Sequence, residues 1–485
     1  MVATIALFNT LIGVCAIVIA TKGRVGYLIS PFSVSMALLI AIFGIRPLLI
    51  SSDQDHLFYG YSVASGYLSA VLVGGVAILS LTLGYWLIST SGVHSEKVSA
   101  ANGHNPAQAR SSDPLQPDDV MTRIGQLSAS TMAIICVALV MSWVSLMVVA
   151  GGGPGVLTEM AGGRSDATAL ATENLPLIVY SLPAAAAYVA CFWRVAVERI
   201  DSNLSGGSKL IFWAVILASL APPALLGNRR FILPCVIAAV IASNLPLSKW
   251  TARVSAVKIV LSIVVVTVLA AIPYVRSAGS RQAGDNLLSA LSGYINTEGF
   301  GGVFTNFFRS YDTEMYDYIA LISPKLGGAV PYGLGRGAFV DIGVAALPAG
   351  TVQIPSWSNQ LLVENFGQTC ASGICPVPSF AGTAYFDFGY LGVAVFGIAL
   401  GIASRKFENI VHNYRGLAFL AILIAGSLPA TAVRGNFPSQ IWIGLNIFVL
   451  AAAVVCAVAL VCRPQEKKRL GRVSASPLVG GRTSS

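Results

Sequence analysis

The chain predicts an all-α polytopic membrane protein: about eleven transmembrane helices, with a large extracytoplasmic loop between the eighth and the ninth. Three observations carry that expectation. Of 485 residues, 55% are hydrophobic and only 11% charged, with a mean hydropathy of +0.74, whereas a soluble domain carries roughly 25% charged residues. Apolar runs long enough to cross about 30 Å of hydrocarbon recur along most of the sequence. Residues 276–386 are the exception: they lack such a run and concentrate charge, with Arg276, Arg281, Arg309, Lys325 and Arg336 among Asp285, Glu298, Asp312, Glu314, Asp317, Asp341 and Glu364.

The runs fall at 3–20, 31–50, 66–90, 127–149, 177–196, 209–227, 231–247, 258–275, 388–403, 416–433 and 441–462. The first has no basic residue before it, and Lys22 and Arg24 follow it, so it reads as a retained span rather than a cleaved signal. Cys15 follows Val14, not the small residue a lipidated cysteine needs. The second run ends awkwardly at Arg46. Residues 91–126 are rich in Ser, Asn, Asp and Pro and read as a flexible cytoplasmic linker. The organisation is therefore 1–275 for the first eight helices, 276–386 for the loop, 387–462 for the last three helices, and 463–485 for a basic tail. That tail suits an anionic inner leaflet. No internal repeat is visible, nor a matched pair of broken helices of the transporter kind.

Orientation follows from charge. With the N-terminus outside, the internal segments are 21–30, 91–126, 197–208, 248–257, 404–415 and the tail, and most lysines and arginines lie in or beside them. This is the bias expected of cytoplasmic loops, and it puts the C-terminus inside. The net charge of +9 thus reflects topology. No basic polar face is gathered on one element, which argues against nucleic acid as a partner.

The basic residues left outside are Arg46, Arg164, Arg229, Arg230, Arg276, Arg281, Arg309, Lys325, Arg336 and Arg434, all but one of them arginine. A guanidinium fork binds phosphate oxygens in pairs, whereas an ammonium is a point charge. An external surface that keeps arginine and nearly excludes lysine points to recognition of an anion. Each arginine taken singly also suits snorkelling to lipid headgroups. Arg229 and Arg230 sit in a tight hairpin, Gly227-Asn228-Arg229-Arg230, flanked by Pro222-Pro223 and Pro234, where distorted helix ends would expose backbone amides. Segment 151–176 opens Gly-Gly-Gly-Pro-Gly and reads as a mobile external loop, and Arg434 closes the tenth span.

Within the long interval, Phe304, Phe307, Phe308, Tyr311, Met315, Tyr318, Ile319 and Ile322 recur at spacings of three and four, so an amphipathic helix is expected over 303–322. Its other side carries Arg309, Asp312, Thr313 and Tyr316, with Glu314 and Asp317 offset. Arginine within a turn of carboxylates can hold an anionic leaving group while Asp312, Glu314 or Asp317 accepts the proton of an attacking hydroxyl. An interfacial helix with routine ion pairs shows the same pattern. Residues 324–360 alternate glycine, proline and aromatics around Tyr332-Gly333-Leu334-Gly335-Arg336-Gly337 and Trp357. They lack the lysine and Ser/Thr of a phosphate loop and read as a conformable lid whose aromatic faces suit sugar rings. Cys370 and Cys375 lie on the oxidising side and are expected to form a local disulfide. Only one histidine, His56, is expected outside, which argues against a zinc site or a Ser/His/Asp arrangement there.

The stretch Ser379-Phe380-Ala381-Gly382-Thr383-Ala384-Tyr385-Phe386-Asp387-Phe388-Gly389-Tyr390-Leu391-Gly392 leads into a span ending at Arg405. It resembles the re-entry segment of bacterial oligosaccharide repeat-unit polymerases, the O-antigen polymerase or Wzy type, in which small residues, an aromatic-rich turn and G-x-x-G precede a late membrane helix. The many spans, the large external loop and the external arginines resemble that family too. The resemblance implies a GT-C-like membrane glycosyltransferase that joins repeat units carried on undecaprenyl pyrophosphate at the outer face of the cytoplasmic membrane. It implies no cofactor or metal. External arginines would neutralise the pyrophosphate leaving group, with Arg229, Arg230, Arg276, Arg281, Arg309, Tyr311, Arg336 and Arg434 as the substrate-binding set and Asp312, Glu314 or Asp317 as the catalytic carboxylate. The partners implied are lipid-linked oligosaccharides and membrane lipid, with a chain-length regulator and a flippase alongside. A ligase of the same fold would differ only in its acceptor. A transporter or flippase would need charges in the middles of its spans, which this sequence lacks, and a scaffold would not explain the bias toward arginine.

Overall fold

The computed structural model describes residues 1–21, 30–51, 56–89, 119–156, 177–200, 205–225, 229–243, 296–297, 299, 302, 305, 308–309, 313–346, 356–367, 377–411, 414, 416–435 and 437–461. Arg164, Arg276, Arg281, Tyr311, Asp312, Cys370, Cys375 and the expected span at 258–275 lie outside the described residues, as do the side chains of Arg229 and Arg230.

The principal helices are α1 (Val2–Thr21), α2 (Pro31–Ile50), α3 (Tyr67–Ser89), α4 (Ala129–Ala150), α5 (Leu182–Ile200), α6 (Gly206–Leu225), α7 (Arg229–Ser243), α8 (Met315–Ile322), α9 (Asp341–Ala346), α10 (Trp357–Phe366), α11 (Ser379–Ile410), α12 (Gly416–Arg434) and α13 (Phe437–Val461). Among the described residues, 8 helices are long and apolar enough to cross a membrane: α1 to α4, α6, and α11 to α13. The described residues are mostly helical, with one short antiparallel hairpin pairing Leu57–Phe58 with Tyr61–Ser62, and the apolar helices make this a polytopic, membrane-embedded chain. Two expected spans take other forms. α5 ends in Arg194, Glu198 and Arg199 and is buried from Pro183 to Ala196, so protein rather than lipid surrounds it. α7 is a 15-residue helix.

Two apolar cores divide the molecule. One is built from α1, α2, α3, α8, α10 and the first part of α11. The other gathers α4 to α7, α12 and α13 around the alanine-rich α5. α3 and α11 run side by side at backbone contact: a Cβ at Gly397 would collide with Ser80, and one at Gly401 with the Leu81 carbonyl. Small residues at such a seam let membrane helices pack by close approach. At one end of this pair, the Tyr85 hydroxyl donates to Glu408 Oε2 (2.6 Å) and accepts from Arg405 Nη1 (2.9 Å).

Two expectations for the long interval need correction. The helix expected over 303–322 as an amphipathic surface element is seen as α8, all eight of whose residues are buried, with helical geometry also at 302, 305, 308 and 309. Its polar side faces protein, because Arg46 from α2 reaches it. The interval also ends earlier than expected. Residues from Ser379 are already helical and join α11, so the segment read as an aromatic-rich turn is a helix broken at Gly389 (φ 65°, ψ −154°).

Candidate functional site

The break in α11 organises the first of two polar clusters. Interrupting a helix frees carbonyls in the turn before the break, and here the Phe386 and Asp387 carbonyls accept from the amides of Gly333 (3.0 Å) and Leu334 (3.1 Å). The Asp387 carboxylate accepts from the amides of Gly337 (3.0 Å) and Ala338 (2.7 Å), in the π-helical turn Arg336–Val340. The glycines here serve this tie. A Cβ at Gly333 would collide with Asp387 and with the Trp357 indole, and Gly335 has φ 95°, a left-handed conformation that glycine adopts without steric cost. Leu334 is left-handed as well, at φ 50°, which a bulky residue adopts only when its surroundings impose it. Within the stretch 324–360 read as a conformable lid, residues 333–338 are instead tied to α11, while 347–355 lie outside the described residues.

Trp357 begins α10, whose N-cap Ser356 accepts from the Asn359 amide. The Trp357 amide donates to Asp341 Oδ2 (2.8 Å). The Arg336 guanidinium stacks over the Trp357 ring at 5.0 Å, a cation–π contact that fixes the fork without using its N–H donors. Among the described residues, no carboxylate or carbonyl within hydrogen-bonding distance takes those donors. Trp357 itself is 6% exposed, so its face is not open to a sugar ring, contrary to the expectation from sequence. Burial pushes the Asp341 carboxyl up to about 6, although the Trp357 amide opposes the shift. Near neutral pH that group can accept a proton.

The second cluster is closed. The extra residue of a π-helical turn changes the face a helix presents next. In α2 such a turn, Ala41–Ile45, immediately precedes Arg46. Arg46 is 2% exposed, although the sequence grouped it with the external arginines. Its guanidinium pairs with Asp317, donates to the Phe308 carbonyl (2.8 Å) and donates to Thr313 Oγ1 (2.7 Å). Asp317 is fully buried, and His56 Nε2 lies 3.2 Å from the same carboxylate oxygen, with a side chain 24% exposed. Glu314 sits beside the pair, and burial pushes its carboxyl up to about 8, the Arg46 charge opposing and the Asp317 charge adding to the shift. Tyr318 separates the two clusters: its hydroxyl donates to the Ser358 carbonyl and its ring lies 5.5 Å from Phe386.

Of the candidate residues, the structure thus seals Asp317 in an ion pair and buries Glu314, while the Arg336 fork has no acceptor among the described residues. Arg309 is exposed and donates to the Leu49 carbonyl (3.3 Å). Arg434 closes α12, directly after Ala432 and Val433, which belong to the core that holds both clusters. Sequence reasoning missed Asp341, Asp387, Trp357 and His56 as members of the clusters. The signals were present: Gly333, Gly335 and Gly337 alternate beside Arg336, and Arg46 interrupts an apolar run. An ionisable residue inside a span implies a partner by default. No family model, no curated protein and no solved structure matches the chain.

Proposed function

We propose that the protein is a membrane glycosyltransferase that polymerises oligosaccharide repeat units carried on undecaprenyl pyrophosphate, working at the outer face of the cytoplasmic membrane without a metal. One observation supports this above the others: Arg336 lies over the Trp357 ring with its donors unspent among the described residues, while the amide of the same tryptophan holds the Asp341 carboxylate. The fork binds pyrophosphate oxygens in pairs. Asp341 takes the proton of the acceptor hydroxyl as its oxygen bonds to the anomeric carbon. The bond from that carbon to the phosphate oxygen breaks, and Arg336 stabilises the charge that develops. Arg309 and Arg434 remain in the substrate-binding set, with Arg229, Arg230, Arg276, Arg281 and Tyr311. Asp341 replaces the carboxylates first expected to act. Asp317 is neutralised by Arg46, Glu314 keeps its proton at neutral pH, and Asp312 lies outside the described residues. Charges inside the described spans lie toward helix ends or at the Gly389 break, as with Arg46 in α2 and Arg405 and Glu408 in α11, which disfavours a transport path.

The test is the length of glycan chains made by Arg336→Lys, Arg336→Gln and Asp341→Asn. Loss of elongation in all three, with lysine unable to replace the fork, is the expected result, together with a wild-type rate that falls as pH drops below about 6. Full-length chains from both Arg336→Gln and Asp341→Asn would sink the proposal. Transfer of finished glycan without elongation would make the protein the ligase.

A further inference from the structure

Contacts on several sides fix α8 in the molecule. Arg46 of α2 pairs with its Asp317. The Tyr316 hydroxyl donates to the Tyr67 carbonyl at the start of α3 (3.0 Å), and the two rings stack at 5.7 Å. A Cβ at Gly66 would collide with the Ala320 carbonyl, and one at Gly382 of α11 would stand 3.1 Å from the Ile319 side chain. Glycine at both places lets the chain approach α8 that closely. The helix is thus held by α2, α3 and α11 together.

Tyr318 carries this fixed helix toward the fixtures of the arc 333–346, in which Arg336 and Asp341 stand. It is fully buried, and burial pushes its hydroxyl well above the ordinary phenol range, so the group stays a donor at every working pH. The hydroxyl donates to the carbonyl of Ser358, the residue after Trp357. The ring meets Phe386, the residue before Asp387, edge-on at 5.5 Å and 74°. Trp357 lies under the Arg336 guanidinium and holds Asp341 by its amide. Asp387 holds the amides of Gly337 and Ala338. Each fixture of the arc is therefore next in sequence to a residue that Tyr318 touches. The groups left unsatisfied at a helix N-terminus are amides, not carbonyls, so the bond to Ser358 is no cap that α10 requires. What it determines is where the first turn of α10 stands.

We propose that Tyr318 is a positioning residue of the candidate site: anchored through α8, it sets the spacing between Trp357 and Asp387 and so keeps the Arg336 fork and the Asp341 carboxylate in register. The closed cluster around Arg46 then serves the open one as its foundation. Reacting groups need support to within about 0.5 Å, and a misplacement of about 1 Å caused from a distance can cost roughly 10²-fold in rate. The inference rests on the transferase reading for its effect on turnover, though not for the geometry.

The experiment uses the full chain in detergent with 5-fluorotryptophan at its 7 tryptophans, the Trp357 fluorine resonance being assigned by Trp357→Phe. Arg336→Gln marks where that resonance lies with no charge over the ring. In Tyr318→Phe the resonance should move part of the way to that position, and kcat for chain elongation should fall about tenfold to 10²-fold with the acceptor KM unchanged. Tyr61→Phe is the control: it removes a hydroxyl–carbonyl bond from the other end of α10, at Phe366, and should leave both the resonance and kcat at wild-type values. Should Tyr318→Phe fail to fold, Phe386→Leu shortens the same contact from the α11 side and is read in the same way. A Trp357 resonance unmoved in Tyr318→Phe, or moved as far in Tyr61→Phe, overturns the proposal. So does a rise in KM with kcat unchanged, or a resonance that Arg336→Gln leaves in place. The resonance needs no turnover. The expected shifts without elongation by the wild type defeat only the transferase reading, and elongation with an unmoved resonance in Tyr318→Phe defeats only this one.

Discussion

Two arginine–carboxylate clusters stand on either side of Tyr318, and they use the same chemistry to opposite ends. Around Arg46, Asp317, Thr313 and the Phe308 carbonyl engage the guanidinium, and the pair is buried. Around Arg336 the fork is held by an aromatic face, and its carboxylate neighbour Asp341 is held by a backbone amide. The first arrangement commits both terminal nitrogens of the guanidinium to protein and buries them. In the second, the groups are positioned by contacts that do not consume their charge. An arginine count cannot make that distinction, and it separates a residue that holds the fold from one that can bind.

The comparison can be broken most forcefully at the closed cluster. Arg46→Ala leaves the buried Asp317 charge with only His56 beside it and should cost about 3–5 kcal/mol, read as thermal unfolding in detergent. Arg46→Met with Asp317→Leu should recover most of that loss. A single Arg46→Ala variant as stable as wild type would place the pair in water. The open cluster predicts the reverse pattern. Arg336→Gln gives up only the contact with the Trp357 ring and should cost about 0.5–1 kcal/mol of stability, while elongation falls roughly 10²- to 10³-fold, the scale of losing one donor to a developing oxyanion.

A third test sharpens the contrast through pH. Burial holds a proton on Glu314, raising its carboxyl from 4.5 to about 8, so the folded state binds a proton that the unfolded state releases over that range. Stability from this group is present below about 4.5 and is lost as pH rises toward 8, at roughly 1 kcal/mol per pH unit. Thermal unfolding at pH 6 and pH 8 should show the loss in wild type and a flatter profile in Glu314→Gln. The smallest effect belongs to the other end of α11. Tyr85→Phe removes one hydroxyl from the Glu408–Arg405 group and should cost about 1 kcal/mol, with glycan length unchanged.

Much of the architecture was legible in the sequence because hydrocarbon thickness imposes a length that apolar runs must meet. α1, α2, α3, α4, α6, α11, α12 and α13 lie where the runs are. Membership of the clusters was far less legible. Arg309 and Arg336 could be named from residue type, but the partner of Arg46 lies 271 residues away, and no local period encodes such a pairing. Met315–Ile322 shows the complementary error. Its spacing of three and four correctly signals a helix, but the polar positions were assigned to solvent because the buried arginine that satisfies them is on another span. Trp357 was read as an open face because aromatic-rich, glycine-rich sequence describes a loop equally well whether it is mobile or pinned.

The break at Gly389 also has a consequence for assembly. The amides of Gly337 and Ala338 leave the ribosome before their acceptor Asp387, separated from it by 50 and 49 residues, and the Ile342 carbonyl precedes its donor Trp442 by 100. During synthesis the arc therefore waits, unsatisfied, until the last spans have been inserted. The candidate catalytic groups are set by the final third of the chain, so an incomplete translation product has its bundle begun and no site.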